Sequence, residues 1–358
     1  MLKPETIINI FRNSFLFLMS YGILYFSLKY YDPLIGGKDY FSYKEMIANP
    51  FNFKIAASPF VYRQFSTCIA AIIYQSNLYY DIGITFGENL ETKKIFFSAM
   101  LSNYIALLST AALTIRILDK EIGKTLIPSM LAILILFLSF GTINYVLAGL
   151  VEGWTWFFIL FSFHALKTKN TNIFGIAIIL SIFQKELIPI VFSILSIYFY
   201  ILSIIQNRKD NRYLIMLFYS ILSILLYLFT RTQVFIAHGF ENQLDPFYFI
   251  NNLRNITFQK GMIVNYIASQ NLILIYIATS ISFCLILHKP IQQMKMHLDG
   301  MGILIVSLFL TILGLGNQIG NNLGRILLIF SQIWSIIIVT NLVATENYLK
   351  QSTLKTTS

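Results

Sequence analysis

Apolar residues in this chain run in long blocks separated by short polar gaps. A membrane-spanning helix needs about 20 mostly apolar residues, within roughly 17–25. Blocks of this kind fall at 10–30, 95–116, 125–141, 145–166, 172–184, 187–205, 213–230, 263–287, 300–316 and 326–345. They predict an all-α fold, a polytopic transmembrane helix bundle of about ten spans forming one domain over 1–358. The block 172–184 is short. It counts as a separate helix if Gln184, Lys185 and Glu186 form a tight turn; the alternative is one long tilted helix carrying a buried charge pair.

The segment 64–82, "QFSTCIAAIIYQSNLYYDI", is only weakly apolar and carries Gln64, Gln75, Asn77 and Asp81. It either crosses the membrane or lies along the interface as an amphipathic helix. Lysine and arginine placement decides. With a cytoplasmic N-terminus and no crossing here, the inner side holds the larger share of basic residues, and a crossing reverses the balance. The positive-inside rule therefore favours the interfacial reading. The pair Lys93–Lys94 falls on the wrong side of that arrangement. Both termini are then cytoplasmic, and the long extracytoplasmic loops are 31–94, with interfacial helices, and 231–262.

Composition agrees with a membrane protein: 56% of the 358 residues are hydrophobic and 12% are charged. The formal charge of +10 does not imply a nucleic-acid partner, because the basic residues stand singly between apolar blocks. Cys68 and Cys284 both lie in apolar stretches and give neither a disulfide framework nor a metal spacing. The first block is too long for a signal-peptide core and reads as a retained helix. The abundance of lysine, asparagine and isoleucine suggests an AT-rich genome and a bacterial inner membrane.

Most of the chemistry gathers on the predicted outer face. Asp39, Glu45, Arg63, Lys185, Glu186, Arg231, His238 and Arg325 fall there, and Glu152 about two turns into the fourth span. An ionisable group inside a span costs about 2.5–3.5 kcal/mol on insertion scales. Glu152 therefore calls for a cation from another helix, with Arg63, Lys185 or Arg325 as candidates. Lys185 and Glu186 could equally be an interfacial turn that reaches water. The inner gaps, such as "KTKN" and "NRKDNR", read as topology determinants.

The stretch "GGKDYFSYKEMIANP", followed by "SPFVYRQF", resembles the first outer loop of GT-C-type integral membrane glycosyltransferases, the mannosyltransferase and arabinosyltransferase-like branches included. The residues that carry this are Gly37, Asp39, Tyr43, Met46, Ala48, Pro59, Phe60, Tyr62 and Arg63. "NYVLAGLVEGWTWFFILFSFHAL" resembles the fourth span of that family, "LSIFQKELIPIVF" its basic-Glu turn, and "NNLGRILLIFSQIW" its last outer arginine, Arg325. The resemblance implies transfer of a sugar from a polyprenyl-phosphate-linked donor to a glycan, lipid or protein acceptor. Such a reaction needs a carboxylate to take the acceptor proton and cations to hold the leaving phosphate. Asp39 is the expected base, although it also suits a helix cap. Arg63, Lys185 and Arg325 are the expected phosphate ligands. Glu152 and Glu186 are expected to orient substrate or form structural ion pairs. Glu45, Tyr62 and His238 are secondary candidates, and Tyr62 and Trp154 suit either a sugar face or an aromatic belt. No cofactor is indicated, and a divalent metal lacks the paired acids that would hold it, since Lys38 adjoins Asp39. Competing readings are a lipid-linked polysaccharide polymerase or ligase, a transporter or flippase, and a structural subunit; the absence of an internal repeat counts against the transporter.

Overall fold

The computed structural model describes residues 4–30, 39–56, 60–81, 83–139, 142, 146, 150–234, 250, 271–287, 295–316 and 328–356. Most of these residues are helical, and no strand occurs among them. Five helices are long and apolar enough to cross a membrane: Glu5–Tyr30, Leu90–Ile122, Leu187–Ile205, Arg212–Thr232 and Leu328–Lys350. Three shorter apolar helices accompany them. The fold is a helical bundle with the helices of an integral membrane protein.

Helix α1 (Pro4–Tyr30) opens on proline, whose missing N–H is no loss in a first turn. Its face bearing Phe11, Phe17, Leu18 and Phe26 stays exposed, as suits a helix against lipid. Helix α2 (Asp39–Ala48), a single turn at Phe60–Tyr62 and helix α3 (Gln64–Gln75) follow. At 12 residues α3 spans about 18 Å, far less than the roughly 30 Å hydrocarbon core. The expected helix over 64–82 thus ends at Gln75, where Ser76 closes it.

Helix α4 (Leu90–Ile122) forms the mast of the first half. Asn89 and Thr92 cap it reciprocally, and Gly123 at φ 80° ends it. Its inward face is built from small residues, among them Ser98, Ala99, Ser102, Ala106, Thr110 and Ala111. Such residues let helix backbones approach closely where lipid supplies no hydrophobic drive. Helix α6 (Glu152–Lys167) crosses it at Gly153. A Cβ on Gly153 would lie 2.8 Å from Asn103 Oδ1 and 3.0 Å from the Asn103 carbonyl oxygen. Helix α5 (Leu126–Phe137) precedes α6 and packs on α1, α4 and α12.

The break expected at Gln184–Glu186 is present. Helix α7 (Thr171–Ser181) ends there and α8 (Leu187–Ile205) begins, with Pro189 tolerated in its first turn. Helix α9 (Arg212–Phe229) runs back beside both. Helices α10 (Asn271–Leu287), α11 (Lys295–Gly316) and α12 (Ser331–Thr356) complete the bundle. The first turns of α12 are buried from Ser331 to Val339, so this helix is the core of the second half.

Two expectations need correction. Helix α6 starts at Glu152 behind a bend at Leu150 and Val151, so Glu152 opens α6 rather than lying two turns inside it, and most of 145–149 lies outside the described residues. The cause is distant in sequence. The Asn103 side-chain amide donates to the Leu150 carbonyl, and Gln184 Nε2 donates to the Val151 carbonyl at 2.5 Å. These amides hold the chain in a non-helical turn just before the helix. The inner gaps are also more than topology markers. Lys169 and Arg212 both bond Asp210, at 2.6 and 2.8 Å, and Lys167 bonds Asp299 of α11. Most of the second outer loop, 231–262, lies outside the described residues.

Candidate functional site

One end of the α6–α9 helices gathers the charged residues read from the sequence. The turn at 182–186 joins α7 to α8, and the start of α3 docks on it: the Phe65 N–H donates to the Phe183 carbonyl at 2.8 Å. Phe65 also packs edge-on against Trp154 and Phe158, with centroids 5.2 and 4.9 Å away. Trp154 Nε1 donates to Ser102 Oγ at 3.0 Å, and Ser102 reaches the Ser66 carbonyl. The sequence Phe65–Ser66 is therefore fastened to α4, α6 and the 182–186 turn together. This places Arg63, two residues earlier, over that turn. Trp154, half-buried, lies in these contacts, and Tyr62 is buried against Tyr227.

Two ion pairs result. Lys185 Nζ lies 3.3 Å from Glu152 Oε1, with both side chains over nine-tenths buried. Lys185 turns inward rather than reaching for water. Of the two described cations considered for Glu152, Arg63 and Lys185, it is Lys185 that bonds it, and the positive end of α6 adds to the attraction. Arg63 donates to Glu186 Oε1 at 3.1 Å and to Tyr43 Oη at 2.8 Å. Its guanidinium also lies over the Phe60 ring. Burial pushes the Glu186 carboxyl up, but the Arg63 guanidinium and then Lys185 outweigh it and hold the group below its ordinary range. Glu186 is thus ionised at neutral pH, and its side chain remains 28% exposed.

Asp39 is the first residue of α2, and the residues just before it lie outside the described ones. It stands four residues before Tyr43, so the two share a face one turn apart. The Tyr43–Arg63 hydrogen bond thereby ties the helix that begins at Asp39 to the charged turn. Glu45 is exposed on the face opposite buried Tyr43, Met46 and Ile47, and is not brought in. His238 and Arg325 lie outside the described residues.

Four participants carried no assigned role in the sequence reading. Tyr43 carried the resemblance without being given a role. Gln184, next to the charged pair, donates to the Val151 carbonyl and to Thr155. Tyr227 and Arg231 come from the end of α9, and the Arg231 guanidinium lies 5.9 Å from the Tyr62 ring centroid. An i, i+4 pairing near the end of an apolar block was the available signal for the last two. Among the described residues, buried polar atoms in this region without a hydrogen-bond partner include Arg63 Nε, Gln184 Oε1, Glu186 Oε2 and Tyr227 Oη. Leaving such groups unmet costs about 1–3 kcal/mol each. A polar ligand would meet them.

A separate open depression of about 370 Å³ lies between the end of α3 and the start of α4, lined by residues that include Tyr74, Glu91 and Lys94. Its hydroxyl and carboxylate are exposed and bonded to each other, so it does not present the unmet polar atoms of the charged turn. Among the described residues no group of three histidine, cysteine, aspartate or glutamate side chains could hold a metal ion.

The architecture and the buried polar end define a class: a helical integral membrane protein with a polar site built at one end of its bundle. No protein-family model, curated protein or solved structure matches the chain.

Proposed function

We propose that the chain is a membrane glycosyltransferase. It moves a sugar from a polyprenyl-phosphate-linked donor to a glycan, lipid or protein acceptor of the cell envelope. In this reading the helices make about ten spans in a bacterial inner membrane. Both termini are cytoplasmic, and the 182–186 turn faces the extracytoplasmic side.

The observation that carries the reading is the 2.8 Å hydrogen bond from Arg63 to Tyr43. It draws the polar helix α2, with Asp39 at its start, onto the end of the bundle where Arg63, Lys185, Glu152 and Glu186 meet. A lipid-borne donor would enter from the bilayer and a polar acceptor from the aqueous side. Asp39 takes the proton of the acceptor hydroxyl as that oxygen bonds the anomeric carbon. The bond from the anomeric carbon to the phosphate oxygen breaks, and the cations of the site hold the departing phosphate. Arg63 and Lys185 are each matched by a carboxylate, so they supply a fixed, ordered field rather than surplus charge. Glu186 Oε2, buried and unmet, suits a sugar hydroxyl. Arg325 keeps its expected part as a further phosphate ligand.

The test is transfer of radiolabelled sugar from a panel of polyprenyl-phosphate donors, in membranes carrying the unmodified protein or Asp39→Asn. A general base contributes about 100- to 10,000-fold. Loss of that order at unchanged abundance is expected. Equal transfer by both proteins would remove Asp39 from the chemistry, and absence of transfer by the unmodified protein across the panel would overturn the reading.

A further inference from the structure

The end of α9 carries a charge that neither ion pair of the site uses. Here the helix passes into a π-helical turn at Thr230–Val234, an irregularity frequent at functional sites. Arg231 stands in this turn, half-buried, with its guanidinium against the Tyr62 ring. Among the described residues it has no carboxylate partner. One turn earlier on the same side of α9, Tyr227 meets the edge of the same ring, with centroids 5.8 Å apart. Tyr227 is 8% exposed, and its hydroxyl has no hydrogen-bond partner. Tyr62, on which the Tyr227 ring packs, directly precedes Arg63, and Arg63 bonds Glu186, so Tyr227 stands beside that ion pair. Glu186 Oε2 is likewise buried and unmet.

The charge balance separates the three cations. Arg63 faces Glu186 and Lys185 faces Glu152, so each already has its counter-ion. Among the described residues of the site Arg231 is the surplus. A guanidinium beside an aromatic face, partly screened from water, suits a bidentate hold on a phosphate. The unmet pair beside it suits a group that both donates and accepts. A hydroxyl accepts from Tyr227 Oη and donates to Glu186 Oε2. We infer that Arg231 is the principal anion-binding residue of the site, and that Tyr227 and Glu186 together hold a hydroxyl of the same ligand. This assigns to the π turn a ligand-binding part expected until now of Arg63, Lys185 and Arg325. It also names the recognised unit, a phosphate joined to a hydroxylated group. The inference rests on the lipid-phosphate sugar reading of the site.

Binding to the full-length protein in phosphatidylcholine nanodiscs tests it without requiring turnover. The probes are farnesyl phosphate, farnesol as the uncharged control, and farnesyl phosphosugars of several hexoses and pentoses. Arg231→Gln is expected to weaken farnesyl phosphate binding about ten-fold or more, Arg231→Lys to recover part of the loss, and farnesol to show no difference. Tyr227→Phe is expected to leave farnesyl phosphate binding unchanged and to weaken the tightest phosphosugar. Equal farnesyl phosphate affinity in Arg231→Gln and the unmodified protein, or no binding by the latter, overturns the anion assignment. Equal phosphosugar affinity in Tyr227→Phe overturns the hydroxyl assignment. Sugar transfer by the same preparations separates the two claims. Transfer with binding insensitive to Arg231 sinks this inference alone. Binding through Arg231 without transfer by any donor sinks the transferase and leaves the ligand class standing.

Discussion

The two ends of the α6–α9 helices both carry buried or half-buried charge, and they are finished differently. At the end where α6 stops and α7 starts, the buried or half-buried carboxylates Asp210, Asp299 and Asp119 have both oxygens engaged. Asp210 receives Lys169 and Arg212 across its two oxygens. Asp299 receives Lys167 on both. Nearby, Asp119 takes both terminal nitrogens of Arg12, which also reaches Asn9 and Ser129. At the opposite end Glu186 has one oxygen bonded and the other buried and unmet, Tyr227 has an unmet hydroxyl, and Arg231 has no counter-ion. The first pattern is what interhelical fastening needs. The second leaves hydrogen-bonding capacity in place for something else. A buried ion pair is thus not itself a sign of a site, nor is an unmet donor, since Arg12 Nε is unmet at the first end; the second end is set apart by an unmet carboxylate oxygen and an unmet hydroxyl together.

The largest effect that would sharpen this contrast comes from the Lys185–Glu152 pair. Removing one partner of a buried pair costs about 3–5 kcal/mol, because the other charge is left uncompensated. Lys185→Met is expected to lose that much by thermal unfolding in detergent. The double variant Lys185→Met with Glu152→Leu is expected to recover most of the stability and none of the transfer activity. Recovery of both would make the pair a fastener like those at the other end. Next comes Gly153→Val at the α4–α6 crossing, where the added atoms meet Asn103. Overpacking of this kind costs about 1–3 kcal/mol, read as a fall in the unfolding midpoint, and an unchanged midpoint would mean the helices can part without penalty.

A pH titration sharpens the comparison further. The hydrogen bond from Arg212, and then the one from Lys169, hold the Asp210 carboxyl well below its usual range despite burial. A depressed carboxylate stabilises fully above its unfolded pKa, about 3.9, and that contribution is lost as pH falls toward the folded value. Stability is therefore expected to fall below about pH 4, and Asp210→Asn to start lower and show a shallower acid limb. An acid limb identical in both proteins would contradict the assignment. The smallest effect belongs to Glu45→Gln. Glu45 is exposed and outside the cluster, so stability should change by less than about 0.5 kcal/mol and transfer not at all. A loss of transfer would bring Glu45 back as a candidate.

Much of this was legible in the chain. The long uninterrupted blocks became α1, α4, α8, α9 and α12 because a helix is what satisfies backbone groups in lipid. The interruption "QKE" became the α7–α8 turn because adjacent charges break an apolar run. What escaped was set by contacts between distant residues. Nothing local tells that Asn103 and Gln184 will take the Leu150 and Val151 carbonyls, so the start of α6 at Glu152 was hidden. Glu152 had three plausible cations, and only the docking of Phe65 on Phe183 sends Arg63 to Glu186 and leaves Lys185 for Glu152. Asp299 fell at the edge of an apolar block, where nothing in the sequence marks its pairing with Lys167. Arg231 stood out by sign but not by role, since a role came only with the discovery that its neighbours were already paired.

The most direct test of the account compares the two ends in one assay. Sugar transfer from a polyprenyl-phosphate donor would be measured for Asp39→Asn and for Asp210→Asn, each at equal folded abundance with the unmodified protein. The account predicts loss of about 100-fold or more in Asp39→Asn and an undiminished rate in Asp210→Asn. Equal rates in the two variants would contradict it.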